Sequence, residues 1–291
     1  MKKFHKTVFK KKAVDLLKVK ANQNFIDCTA GEGGHVEEII KRNGPEGEVL
    51  AFEWDKKMYE RLLPEVSERV HLVNKSYIFL EETVDSLDFG PVSGIILDLG
   101  MSTWHIKKSG RGFSFQKDEP LDMRYDSNLL LTAEEIINNW KKKDIEKIIR
   151  DYSDERYAKE IAEEIIRSRP LKTTGQLVEV IKRCTPENYE QGRIHPATRT
   201  FQALRITVNA EINNLKEVLP QASRILEKEG KIVVISFHYL EDEEVENFIK
   251  KAEGIREVKK VTPSERDIVK NPSSRSAILR VLKKVDEKEV S

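Results

Sequence analysis

The chain has 291 residues, 35% of them charged and 38% hydrophobic, with a formal net charge of +1. That length suits one large domain, or a core domain carrying an insertion. Near-neutrality excludes a nucleic-acid partner held by overall charge, so any such partner must meet local basic patches. Two isolated cysteines, Cys28 and Cys184, exclude a disulfide framework and a cysteine metal site. They fit a reducing cytosol, with both thiols buried or inert.

Residues 1–12 are basic but carry no apolar h-region, so no export signal is expected. His5, and later His71, read as ordinary surface or packing residues. An apolar strand at 24–28 runs into a turn with Gly31, Gly33 and Gly34, followed by the 3.6-residue periodicity of a helix at 35–42. Further apolar runs at 49–53, 70–73 and 94–98 read as strands, and the next long one comes only at 230–236. The gap between them is far too long for one crossover. From about residue 129 to 190 strand signals nearly vanish, and helices are expected instead. Thr132-Ala-Glu-Glu135 opens a capping box before 136–140, and 144–152, 154–167 and 173–184 are amphipathic. One long helical segment over 197–227 leads back to the sheet. After a helix at 241–252, segments 256–261 and 276–283 form a closing strand pair around a loop at 263–274. Strands alternating with helices predict an α/β fold with a parallel, doubly wound sheet and an inserted helical domain. No run reaches the length of a membrane span.

The glycine turn lets backbone approach a ligand closely. About twenty residues after Gly33, the second strand ends in Glu53, a spacing that suits a carboxylate accepting from ribose hydroxyls. The ligand expected is therefore a nucleoside. A nicotinamide enzyme would carry Gly-x-Gly-x-x-Gly, and here the third glycine is misplaced. A P-loop would need Gly-Lys-Ser/Thr, which is absent. S-adenosylmethionine remains, with a dehydrogenase as the alternative at this point. Asp98 closes an apolar run before Gly100, so its carboxylate should face the crevice beyond the strand ends, with Ser102 beside it. His238, at another strand end, is either a functional group or a satisfied structural histidine. Residues 107–124 mix cations, glycines and aromatics without periodicity, as suits a loop where cations meet phosphates and Phe113 or Phe115 stacks on a base. Arg193, His195, Arg199 and Arg205 form a second basic cluster. No constellation has zinc spacing, and no protein-bound metal is expected.

At these residues the chain resembles the bacterial small-subunit rRNA (cytosine-N4)-methyltransferases. The matching stretches are Asp27-Cys-Thr-Ala-Gly-Glu-Gly-Gly-His35, Gly94-Ile-Ile-Leu-Asp-Leu-Gly-Met-Ser102, Arg111-Gly-Phe-Ser-Phe115, Pro120-Leu-Asp-Met-Arg124, His195-Pro-Ala-Thr-Arg-Thr-Phe-Gln-Ala-Leu-Arg205, Ser236-Phe-His238 and Asn271-Pro. The resemblance implies a class I S-adenosylmethionine-dependent methyltransferase, with a Rossmann-like sheet over 1–108 and 206–291 and an inserted helical, RNA-recognising domain over 109–205. It implies S-adenosylmethionine held by Gly33, Gly34, His35, Glu53, Tyr77, Asp98 and His105. Glu53 stands where the family usually has Asp, His105 where Gln is frequent, and Tyr239 where Ser is usual. Asp98 is the first candidate for the catalytic acceptor, ahead of Ser102 and His238. Lys107, Arg111, Phe113, Arg124, His195, Arg199 and Arg205 are the candidate RNA contacts. The expected partner is 16S rRNA, within the 30S subunit, in the cytoplasm, without a membrane; a homodimer is an alternative to a monomer. A non-enzymatic RNA-binding assembly factor is a weaker alternative, because the glycine turn, Glu53 and Asp98 are all intact.

Overall fold

A computed structural model describes residues 7–286, so His5 lies outside the described residues. Two compact units are present: one runs up to Ser102 and resumes at Ile212, and the other is Thr103–Glu211. The insert thus begins at Thr103 rather than 109 and ends at Glu211 rather than 205. The short helix Thr103–Lys108 and the whole of the helix Ala197–Val208 belong to the helical unit.

In the first unit seven strands form one sheet. They are β1 (Asn24–Asp27), β2 (Val49–Phe52), β3 (Val70–Val73), β4 (Val92–Asp98), β5 (Leu226–Ser236), β6 (Ile255–Val261) and β7 (Ile278–Lys284), in the order β3-β2-β1-β4-β5-β7-β6. The first five are parallel, while β7 runs antiparallel to both its neighbours. Strand order reverses between β1 and β4, and such a switch point opens a crevice at the carboxyl ends of the strands. Both faces are covered. One face packs Ile26, Leu50, Ile95 and Val234 under the helices around Leu80 and Leu219. The other packs Phe25, Ala51, Ile96 and Val233 under those around Val14 and Ile39. The central strands therefore read as continuous apolar runs rather than alternations.

At the antiparallel edge, Arg280 of β7 is 3% exposed. It donates to both oxygens of Asp242 (2.7 and 2.8 Å) and to Glu257 (2.8 Å), and pairs with Glu246. This locks the helix Tyr239–Lys251 onto the sheet.

The expected continuous helix over 197–227 is two helices, Ala197–Val208 and Glu211–Ile225. The chain breaks where Ala210 takes φ +50° and the Asn209 side chain donates to the Met123 and Arg205 carbonyls. The helix expected from 154 starts at Ala158, because Asp154 takes φ +51° and its N–H closes the preceding helix onto the Arg150 carbonyl. Thr132 caps its helix by accepting from the Glu135 N–H. The expected loop 263–274 holds a short helix, Glu265–Lys270, opened by a Ser264–Asp267 capping box. No described helix is long and apolar enough to cross a membrane.

Candidate active site at the strand switch point

β1 ends in Asp27, β4 ends in Asp98, and β2 is followed directly by Glu53, so three carboxylates stand at the carboxyl ends of three adjacent strands. An apolar run forces each into place: the residues before it are buried in the sheet, and the first polar side chain emerges where the ladder stops. His35, in the first turn of the helix Gly34–Ile40, reaches Asp98 with Nε2 3.3 Å from Oδ2. Thr29 links the two strand ends. Its hydroxyl accepts from the Asp98 N–H (2.7 Å) and contacts Asp27 Oδ1 at 3.4 Å, while its own N–H donates to the same oxygen at 3.0 Å.

Burial sets the charges. Asp27 is fully buried, which pushes its pKa up to about 6 against the opposing pull of His35 and Thr29. Burial likewise pushes Glu53 up to about 8, although its carboxylate accepts from the Gly31 N–H (2.9 Å) and the Asp55 N–H (2.8 Å). Burial by itself pulls His35 down. The hydrogen bond and charge of Asp98, with the charge of Asp27, outweigh it, so the imidazole pKa lies above its ordinary value.

Three buried atoms of this group have no hydrogen-bond partner among the described residues: Asp27 Oδ2, Asp98 Oδ1 and His35 Nδ1. Buried polar atoms left unpaired are costly, and two carboxylate oxygens without donors ask for a ligand rich in donors. A pyrophosphate would set its negative charge among these acids, which disfavours a dinucleotide. A phosphate-free nucleoside bearing ribose hydroxyls, an ammonium and a sulfonium fits them, so the residues present suit S-adenosylmethionine.

The glycine turn also meets steric demands within the chain. Gly33 has φ +73°, and a Cβ there would lie 2.7 Å from Leu62 Cδ1. A Cβ on Gly34 would lie 2.0 Å from Thr7 Oγ1. The positive φ at Gly33 and the close approach of Thr7 to Gly34 favour glycine at both positions, at the start of the helix that carries His35.

Tyr77 opens the turn Tyr77–Phe79 after β3 and is half-buried against the apolar core of the first unit. Ser102, half-buried, is the last residue before the insert. His238 caps the helix Tyr239–Lys251, its Nδ1 accepting from the Glu241 N–H while Glu241 accepts from the Phe237 and His238 N–H groups. That reciprocal cap gives His238 a structural role, and its Nε2 lies 3.2 Å from a Glu241 carboxylate oxygen. Cys28 is buried and Cys184 half-buried, both free.

His105 belongs to the helical unit and is 6% exposed, with the rings of Tyr125, Phe113 and Trp104 at 5.0, 5.1 and 5.5 Å. Phe113, expected to stack on a base, is instead 5% exposed and stacked on Tyr125 at 5.3 Å, so its ring is core. Arg111 lies over the Trp104 and Phe113 rings and donates to the Tyr125 carbonyl. Arg124 spends its donors on Asp122 and on the Ser127 and Leu129 carbonyls. Arg205 forms a bidentate pair with Glu211 at 2.8 and 2.9 Å. Arg199 donates to the Ser153 and Asp154 carbonyls, closing the helix Lys142–Ser153, and to Glu190. His195 accepts from the Ala197 N–H and stacks on Phe115 at 4.4 Å. Lys107 is exposed. The expected RNA-facing cations are thus mostly committed to organising the helical unit. Arg199→Ala is accordingly expected to cost about 1–2 kcal/mol of stability, read as a lower urea midpoint. An unchanged midpoint with weakened, salt-dependent rRNA binding would return Arg199 to an RNA surface.

Sequence reasoning missed Asp27 and Thr29. The signal was there for Asp27, which ends an apolar strand as Asp98 does.

A model of the MraW methylase family matches residues 2–285. The chain is 40% identical to the ribosomal RNA small subunit methyltransferase H of Thermosipho melanesiensis, over 97% of this chain and 98% of that protein. It is 39% identical to the protein of the same name from a Sulfurihydrogenibium species, over 97% and 99%. Among solved structures, an rRNA methylase from Streptococcus thermophilus aligns with a TM-score of 0.46 at 11% identity, over 95% of each chain.

Proposed function

The chain belongs to the MraW methylase family, and from that premise we propose that it methylates the exocyclic N4 of a decoding-centre cytosine in 16S rRNA, with S-adenosylmethionine as donor. The observation that carries this reading is the Asp27–His35–Asp98 group at the switch point, with its buried, unpartnered polar atoms. Bound S-adenosylmethionine supplies a methyl group on a sulfonium, open to in-line attack by the amine.

The chain's residues supply the rest. Gly33 and Gly34 set the helix start. Glu53, oriented by the Gly31 and Asp55 N–H groups, accepts from ribose hydroxyls, with Tyr77 beside the adenosine. Asp98 keeps Oδ2 on His35 and presents Oδ1 as an acceptor. The cytosine amine is a poor nucleophile because its lone pair is conjugated with the ring. Drawing an N4 hydrogen onto Asp98 Oδ1 raises the nucleophilicity of the amine. Ser102 is the weaker candidate for the same task. The target base must leave any stack to reach the methyl group, and positioning does much of the remaining work. Lys107, with Arg111 and His195, belongs to the proposed RNA-holding surface of the helical unit. The natural substrate in this reading is the 30S subunit in the cytoplasm, and sedimentation of the purified chain decides between monomer and homodimer.

Transfer of a labelled methyl group to 16S rRNA, naked and in 30S subunits, followed by nucleoside analysis, tests the reading. N4-methylcytidine is the expected product, and its absence from both substrates would refute the assignment.

A further inference from the structure

The helical unit contains a cleft of about 210 Å³ lined by Arg156, Tyr157, Asn188, Tyr189, Glu190 and Arg193 among others. Its charge is unbalanced. One oxygen of Glu190 accepts from both Arg156 and Arg199, each at 3.1 Å. Arg193, exposed, has no ion-pair partner among the described residues. Two lining guanidinium groups, Arg156 and Arg193, therefore answer to one lining carboxylate, which Arg199 also engages from outside the lining. Glu155, next to Arg156 in the chain, is 1% exposed and is used to hold the two tyrosines: one oxygen takes the Tyr189 hydroxyl and the other the Tyr157 N–H.

The backbone at the rim is strained. Glu190 and Gln191 take φ +47° and +55°, followed by Gly192 at +72°. Consecutive non-glycine residues rarely adopt that conformation, and such strain gathers at ligand clamps. The segment leads directly into His195-Pro-Ala-Thr-Arg199, which the resemblance singled out.

We propose that this cleft is a subsite for one nucleotide of single-stranded RNA, with a phosphate on Arg193 and Arg156 and a base against Tyr157. Guanidinium forks match phosphate oxygens. Tyrosine faces stack on bases, and an amide such as that of Asn188 can read a base edge. An acidic peptide would use the arginines alone. The inference rests on the rRNA reading above and names a part of its substrate-binding surface.

Anisotropy titrations with a short single-stranded, cytidine-containing RNA test it directly, alongside methyl-transfer kinetics on 30S subunits. Arg193→Ala is expected to weaken oligonucleotide binding about tenfold and to reduce the slope of log affinity against log salt by about 0.7, the value for one lost phosphate contact on a single strand. Arg193→Lys should keep most of that slope. Tyr157→Ala should weaken binding while Tyr157→Phe restores it. KM for the subunit should rise in the weakened variants, with kcat and donor affinity unchanged. An Arg193→Ala variant with wild-type affinity and salt slope would overturn the proposal, as would polyglutamate competing as well as RNA. Because oligonucleotide binding is read without turnover, a wild-type protein that makes no N4-methylcytidine would refute the enzymatic reading separately.

Discussion

Alanine at position 98 is expected to slow methyl transfer by at least about a hundredfold while the sheet stays folded. Asp98 is the last residue of β4, and its side chain is 13% exposed and held by His35. Removing it takes away the acceptor atom Oδ1 and leaves His35 Nε2 without its partner, at a cost of about 1–3 kcal/mol for the orphaned group. Circular dichroism and the urea midpoint would register that cost without loss of the native spectrum. Asp98→Asn separates the two tasks open to this carboxylate. An amide can still accept from His35 but cannot take a proton. If Asp98 is the proton acceptor, the Asn variant is as slow as Ala at saturating donor. If it chiefly orients the donor, kcat recovers and KM for the donor rises. Near-normal turnover in the Ala variant would remove Asp98 from the mechanism.

Donor affinity should rise with pH between about 6 and 8, and the group responsible is Glu53. Its carboxyl, pushed up to about 8 by burial, is largely protonated at neutral pH before the donor binds. Ribose hydroxyls donating to it favour the ionised form, so binding expels a proton and tightens by up to about tenfold per pH unit below that pKa. Asp27, pushed up to about 6, adds a second slope at lower pH, and the charges acting on Glu53 are those of Asp55 and Asp27. The folded-state effect has the opposite sense. Folded chain binds more protons at Glu53 than unfolded chain between its ordinary value of 4.5 and about 8, so this group's contribution to stability declines as pH rises through that window. Calorimetry of donor binding at pH 7, in buffers of different ionisation heat, should show release of about one proton. In Glu53→Gln that release falls and affinity drops. A wild-type affinity flat from pH 6 to 8 would show that Glu53 does not meet the donor as a carboxylate.

The sheet and its crevice were legible because their causes are local. Apolar runs at 24–28, 49–53 and 94–98 can only be buried strands once glycines and helical periods separate them, and a carboxylate at the end of such a run must emerge at the crevice. Asp98 and Glu53 follow from that rule, and Asp27 follows from it equally. Breaks inside helices were not legible. The turn at Asn209 depends on a side chain reaching the Met123 carbonyl, 86 residues away in sequence, and no periodicity reports such a partner.

Local patterning was enough for the fold class, the insertion, the crevice at the strand ends and, through its motifs, the family. The partners of each charged and aromatic side chain came only with folding. Arg199, Arg205 and Arg124 look alike as cations in a basic stretch. Their carbonyl and carboxylate partners, brought together by folding, make them braces of the helical unit. Arg193, close by in the chain, is left without an acid among the described residues and faces a cleft that no linear pattern announces. The physical reason is the range of the forces involved. Hydrophobic periodicity is written into neighbouring residues, whereas an ion pair or a stacked ring is settled only when distant segments meet.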